Sequence, residues 1–174
     1  MERKYATVEG NQLLFAKVRE GAIIPTKEDA NAGFDIYACF DKDFLVIPAY
    51  QTVLVPTGLA CAMTEGYYMQ IEERGSTGSK GMKKSAGVVD SGYRGEIFVA
   101  ITNCNSKDIV ILKDERDSVV ESLSDDYIVY PYSKAICQGV IHRVEKMDVE
   151  TISYEELLLI PSNRGTGALG SSGK

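Results

Sequence analysis

Glu96-Ile97-Phe98-Val99-Ala100-Ile101-Thr102 is the stretch that decides the fold class. It alternates with period two, so it predicts a strand with one buried face. Working outward, Leu13 to Val18, Phe44 to Ile47, Thr52 to Val55, Leu59 to Met63 and Tyr67 to Ile71 are similar short runs. Ile109 to Leu112, Tyr127 to Tyr130 and Ala135 to Ile141 follow them. Gly, Pro, Asn or Asp separates most of these runs, a spacing that predicts an all-β protein, an antiparallel sandwich, jelly roll or barrel. One segment reads as a helix. Ser153 and Glu156 fit a capping box ahead of Leu157-Leu158-Leu159, and Pro161 stops it.

The chain has 174 residues, 44% of them hydrophobic and 25% charged, which suits one domain that buries roughly 70% of its unfolded surface. With 19 Lys+Arg against 25 Asp+Glu the net charge is −6, which argues against a general nucleic-acid binder and leaves room for a local basic pocket that takes a small anion. No stretch reaches the roughly 18 apolar residues of a membrane span, and Met1-Glu2-Arg3-Lys4-Tyr5 opens without an apolar signal core. Cys39, Cys61, Cys104 and Cys137 are widely spaced in apolar runs, and read as buried reduced thiols of a cytoplasmic protein. With His142 the single histidine, no zinc site is expected.

Two segments stand apart. Residues 107–126 hold seven acids and three bases, a net of −4. About 107–130 therefore reads either as a solvated excursion from the sheet or as a partner-binding insert. The tail 162–174 has four glycines between Asn163 and Lys174, together with Arg164 and several hydroxyls. It reads as a flexible arm, or as a phosphate clamp that orders on binding. Residues 1–161 form the β-rich domain on this reading.

Three short stretches carry candidate chemistry. Glu73-Arg74-Gly75-Ser76-Thr77-Gly78-Ser79-Lys80-Gly81 combines converging backbone N–H groups, hydroxyls and a planar guanidinium, without the order of a Walker A loop. Gly87-Val88-Val89-Asp90-Ser91-Gly92-Tyr93-Arg94-Gly95-Glu96 reads as a β-hairpin. In it Asp90 either caps the turn or polarises water at a pocket edge, and Tyr93 is either a core aromatic or the floor of a sugar pocket. Ala32-Gly33-Phe34-Asp35-Ile36 is a third turn-and-acid stretch, where Asp35 is a turn residue or holds magnesium partly through water.

In this order the stretches resemble the five motifs of the trimeric dUTPase family, over about residues 12–174. Ala32-Gly33-Phe34-Asp35-Ile36 resembles the first, Arg74-Gly75-Ser76-Thr77-Gly78 the second and Gly87-Val88-Val89-Asp90-Ser91-Gly92-Tyr93-Arg94-Gly95 the third. Ala135-Ile136-Cys137-Gln138 resembles the fourth, and Arg164-Gly165-Thr166-Gly167-Ala168-Leu169-Gly170-Ser171-Ser172-Gly173 the fifth. Three positions depart from the pattern. Gly75 stands between Arg74 and the hydroxyl, which is then that of Ser76 or Thr77. Leu169 replaces an aromatic ring. Ala135 replaces a basic residue. The 107–130 segment resembles the extended loop of some phage-type members.

The resemblance implies a distorted jelly-roll homotrimer with C-terminal arm exchange, each site drawing on all three chains. It implies hydrolysis of dUTP to dUMP and pyrophosphate with Mg²⁺. Asp90 would orient the attacking water, and Gly87, Val89 and Tyr93 would read base and deoxyribose. Asp35 would hold the metal through water. Arg74, Gly75, Ser76, Thr77, Gln138 and Arg164 would hold phosphates, with Leu169, Gly170 and Ser171 in the closing arm. Segment 107–130 would be dispensable for hydrolysis and open to a protein partner. The competing readings are a dCTP deaminase of the same fold, a phage-type regulatory protein that binds a repressor, and a viral jelly-roll structural protein.

Overall fold

Twelve strands and three short helices occur among the residues that the computed structural model describes, Val8 and 10–167. The strands are β1 (Leu13–Lys17), β2 (Gly33–Ile36), β3 (Phe44–Ile47), β4 (Thr52–Pro56), β5 (Leu59–Met63), β6 (Tyr67–Glu72), β7 (Met82–Ala86), β8 (Val88–Asp90), β9 (Phe98–Asn103), β10 (Ile109–Leu112), β11 (Ile128–Pro131) and β12 (Cys137–Arg143). The helices are α1 (Gly75–Gly78), α2 (Asp117–Ser124) and α3 (Tyr154–Leu158). The sheets have the orders β1-β5, β11-β10-β3, β2-β12-β6-β8 and β4-β9-β7. Their inner faces meet in one core that includes Ile36, Ile47, Val55, Met69, Ile71, Ile101 and Ile111. Each such side chain contributes about 1.5–3 kcal/mol when fully buried. This is the all-β architecture that the strand spacing predicts, in the distorted jelly-roll form that the resemblance implies.

By backbone contacts the chain divides into two compact units, Met1–Val144 and Glu145–Lys174. The β-rich unit thus ends just past β12, where the sequence reading ran it to residue 161. In the second unit the Ser153 hydroxyl accepts from Glu156 N–H at 3.1 Å while the Glu156 carboxylate accepts from Ser153 N–H at 2.8 Å, the predicted capping box. No helix among the described residues is long and apolar enough to cross a membrane.

The deciding stretch starts its strand two residues late. Val99 and Ile101 point into the core at 1% and 2% exposure while Phe98 faces outward. Glu96 is drawn aside instead. Its carboxylate takes Arg19 Nε at 2.7 Å, Arg19 Nη2 at 2.9 Å and the Gly58 N–H at 3.0 Å. That fork ties the end of β1 and the β4–β5 turn to the start of β9.

Four expectations are corrected. The pairing is not wholly antiparallel, because β10 and β11 run parallel, Ile111 opposite Tyr130. Parallel neighbours need a crossover of a dozen or more residues, often helical. Residues 113–127 with α2 supply it. Segment 107–130 is therefore not all excursion, since β10 is buried at every position and Tyr130 is 1% exposed. The stretch 87–96 is not a hairpin, because β8 pairs with β6 and β9 lies in another sheet. Cys39, Cys61 and Cys137 are buried as expected, but Cys104, just past the end of β9, is exposed.

Arg19 holds the Glu96 carboxyl below the usual glutamate range, chiefly by its hydrogen bonds. The stabilisation is therefore complete above the ordinary value of about 4.3 and is lost as pH falls through the lower folded value. Glu96→Gln is expected to lower the melting temperature at pH 7 by about 2–4 °C. The gap between variant and wild type should close on acidification, read by scanning calorimetry from pH 7 to 3.

Candidate active site

Arg74 leaves β6 as the residue that caps α1. Thr77 fixes its backbone: the threonine hydroxyl accepts from Arg74 N–H at 3.0 Å and donates to Arg74 C=O at 3.0 Å. Thr77 is fully buried with its hydroxyl engaged on the Arg74 backbone, while Ser76 lines the cleft. The Arg74 side chain runs back across the sheet. Its Nε lies 2.9 Å from Asp35 Oδ1 and its Nη1 lies 3.4 Å from the Ala135 carbonyl.

Sheet register aligns the remaining groups. Asp35 on β2 stands opposite Gln138 on β12, which stands opposite Glu72 on β6. Directly opposed residues share a face. The Gln138 amide donates to the Glu73 carbonyl at 2.9 Å. Gly33 makes room for it, because a Cβ there would lie 2.5 Å from Gln138 Oε1. Gly33, Asp35, Arg74 and Gln138 line a cleft of about 420 Å³ with Asn31, Ala32, Gly75 and Ser76. A guanidinium fork, a hydroxyl and an amide converge on a small polar space, a donor set suited to phosphate oxygens. Cys137 lies beneath, fully buried, and burial followed by the nearby Asp35 charge pushes its thiol far up. It is an inert thiol. A larger groove of about 870 Å³, lined by Leu13, Phe15, Ile24, Phe34 and others, is mostly apolar and lacks such convergence.

The second group of predicted residues lies elsewhere. Gly87 accepts the Ile71 N–H at 2.7 Å, and a Cβ on it would meet the Ile71 carbonyl at 2.9 Å. Only glycine fits this approach. From there β8 carries Val89 inward at 8% exposure and Asp90 outward. The turn after it is self-braced. Tyr93 N–H donates to Asp90 C=O at 3.1 Å, and the Tyr93 hydroxyl donates to Glu96 C=O at 2.9 Å. The Arg94 guanidinium donates to the carbonyls of Ser91 at 2.6 Å and Tyr93 at 2.9 Å.

Asp35 and Asp90 sit on opposite edge strands of one four-stranded sheet. Asp90 is opposite Tyr68 and Asp35 lines up with Glu72. Three strand spacings across and four residues along separate their Cα atoms by about 20 Å. One chain thus brings together Asp35, Arg74, Gly75, Ser76 and Gln138, and keeps Gly87, Val89, Asp90 and Tyr93 apart from them. Arg164, in the second unit, donates from Nε to Gly167 C=O at 2.9 Å. Leu169, Gly170 and Ser171 lie outside the described residues. Among the described residues no three His, Cys, Asp or Glu side chains cluster as metal ligands. Sequence reasoning missed Asn31, the close approach at Gly33 and the carbonyl of Glu73. Gly33 alone had a signal, a glycine two positions before the acid.

Residues 19–117 match the family model for dUTPase. The chain is 34% identical over 171 residues to the deoxyuridine 5'-triphosphate nucleotidohydrolase of Debaryomyces hansenii, covering 97% of this chain and 92% of the relative. Its fold is similar to the dUTPase of Staphylococcus bacteriophage 80alpha solved with dUPNHPP: TM-score 0.73, 22% identity, 95% of this chain and 100% of that one. It is also similar to a mutant dUTPase of the S. aureus phage phi11, solved with a structural Mg(II) ion: TM-score 0.64, 20% identity, 83% of this chain and 99% of that one.

Gly33→Ala should crowd Gln138 at its Oε1 (2.5 Å) and at its Cβ (2.9 Å), lower the melting temperature and push the Gln138 amide off Glu73. Loss of one such bond predicts about a tenfold weaker affinity for inorganic tripolyphosphate. Isothermal titration calorimetry reads it, with circular dichroism as the check on folding.

Proposed function

The chain belongs to the dUTPase family, and from that premise we propose that it hydrolyses dUTP to dUMP and pyrophosphate by attack of water on the α-phosphorus. Such an activity limits uracil in DNA and supplies dUMP for thymidylate synthesis. The observation that carries the reading is the phosphate-type cleft of Arg74, Ser76 and Gln138 facing Asp35.

The roles follow from the chemistry of each group. Arg74 offers a planar fork to two phosphate oxygens, while Ser76 and Gln138 offer single donors. Asp90 accepts a hydrogen bond from water and aims its oxygen at the α-phosphorus; the bond to the bridging oxygen breaks and pyrophosphate leaves. No covalent intermediate is needed, so the rate comes from positioning and electrostatics. Gly87, Val89 and Tyr93 select the nucleoside. A backbone N–H that faces O4 of uracil would face the amino group of cytosine, leaving a buried donor unpaired at about 1–3 kcal/mol. The Tyr93 ring under the deoxyribose leaves no room for a 2′-hydroxyl.

A single carboxylate is too few ligands for a protein-only Mg²⁺ site, but it suits an ion whose other ligands are phosphate oxygens and water. Asp35 would hold that ion through water. Bound there, it neutralises charge on the triphosphate. Arg164 and the arm at 162–174, with Leu169 as an apolar cover, close the site over the terminal phosphate.

The separation of Asp35 from Asp90 favours sites shared between copies. Each site takes the cleft of one chain, the Asp90 turn of a neighbour and the arm of a third, in a homotrimer. A ring of this kind is a heterologous assembly that closes on itself. The acidic crossover is available to a protein partner. We place the enzyme in the cytosol of a bacterium or a phage-infected host.

Pyrophosphate release measured across dUTP, dTTP, dCTP and UTP with Mg²⁺ should be confined to dUTP. Ammonia release from dCTP would instead favour the deaminase reading. Asp90→Asn is expected to cut turnover by about 10²-fold or more while dUTP binding survives; near-normal turnover would refute its assignment.

A further inference from the structure

Tyr130 stands behind the cleft without lining it. It lies on β11, 1% exposed, in the strand that receives the acidic crossover. Its phenol donates to the Ala135 carbonyl at 2.7 Å. The same carbonyl accepts from Arg74 Nη1. Burial pushes the phenol above its ordinary value, while neighbouring Ser76 and the charge of Arg74 pull it back. The Tyr130 hydroxyl and Arg74 Nη1 therefore meet at one carbonyl on the protein side of the cleft.

The ring alone does not account for this. A phenylalanine would fill nearly the same space in the core, so what the hydroxyl adds is its polar contacts. Arg74 is a long side chain, about a third exposed, and left to itself it samples many rotamers. A carbonyl locked in place by a buried donor gives its Nη1 a fixed partner opposite the one supplied by Asp35. We propose that Tyr130 is a positioning residue: its hydroxyl, through the Ala135 carbonyl, sets the Arg74 fork of the cleft before the nucleotide arrives. The proposal rests on the dUTP reading for its ligand, and nothing in the local sequence around Tyr130 announces it.

The test uses the full-length chain and compares wild type, Tyr130→Phe, Arg74→Lys and the double variant. Affinities for dUPNHPP and dUMP and the kinetics on dUTP are measured beside melting temperatures. Tyr130→Phe should stay folded, weaken dUPNHPP binding and raise KM for dUTP by about fivefold to tenfold, and leave dUMP affinity within about twofold. Because Tyr130 acts through Arg74, the double variant should lose less than the product of the two single losses. Unchanged dUPNHPP affinity in folded Tyr130→Phe overturns the proposal. So do an equal loss for dUMP, losses that multiply, or a Tyr130→Phe chain that fails to fold, which would make the hydroxyl structural. A wild-type chain that binds dUPNHPP but leaves dUTP uncleaved overturns the hydrolase reading alone, and the affinity comparison still decides Tyr130.

Discussion

Arg74 reaches from the end of β6 to Asp35 on β2 and to the carbonyl that precedes β12, so one guanidinium spans three elements. Both members of the ion pair are about a third exposed, 31% and 33%, and such pairs add little to stability. Their value lies in geometry. Asp35 balances the charge of Arg74 and sets the direction of its fork. The Thr77 hydroxyl fixes the backbone from which the side chain departs. Gln138, flat over Gly33, completes the wall. Disturbing Asp35 therefore alters more than a carboxylate; it frees the cation around which the cleft is arranged.

The acidic segment shows how a charged run can serve the core. Parallel pairing of β10 with β11 requires the chain to return to its starting end, and α2 covers that distance. Glu115, Arg116, Asp117, Glu121, Asp125 and Asp126 are exposed, Asp108 is half-buried and takes the Ala49 N–H at 2.8 Å, and the flanking strands bury Ile109–Leu112 and Tyr130. A surface partner docked on α2 would sit on the same connection that delivers Tyr130 to the rear of the cleft.

Strands with apolar alternation were legible because half-buried β structure imposes period two. Three others were not. Met82–Ala86 contains Lys83 and Lys84 and reads as polar, yet it lies on the edge of its sheet with a bulge between Lys84 and Ala86. Gly33–Ile36 is too short to show a period. Val88–Asp90 looked like half of a hairpin because Ser91-Gly92 reads as a turn, but the switch of sheet at Gly87 is a tertiary fact. Helix α2 was masked by its acids, although Val119, Val120 and Leu123 have helical spacing. At the site, residue types at motif positions pointed to Asp35, Arg74 and Gln138. The division of labour between Ser76 and Thr77 was hidden, because it depends on which hydroxyl the capping box consumes.

The two carboxylates on opposite edges of the β2-β12-β6-β8 sheet also bear on inheritance. On the proposed assembly, a lesion at Asp90 spares the cleft of the chain that carries it and silences the cleft of the adjoining chain. Damage at Arg74 stays at home. When two alleles are expressed together, their products would mix within one ring, and a pair of individually dead polypeptides could rebuild a working centre between them.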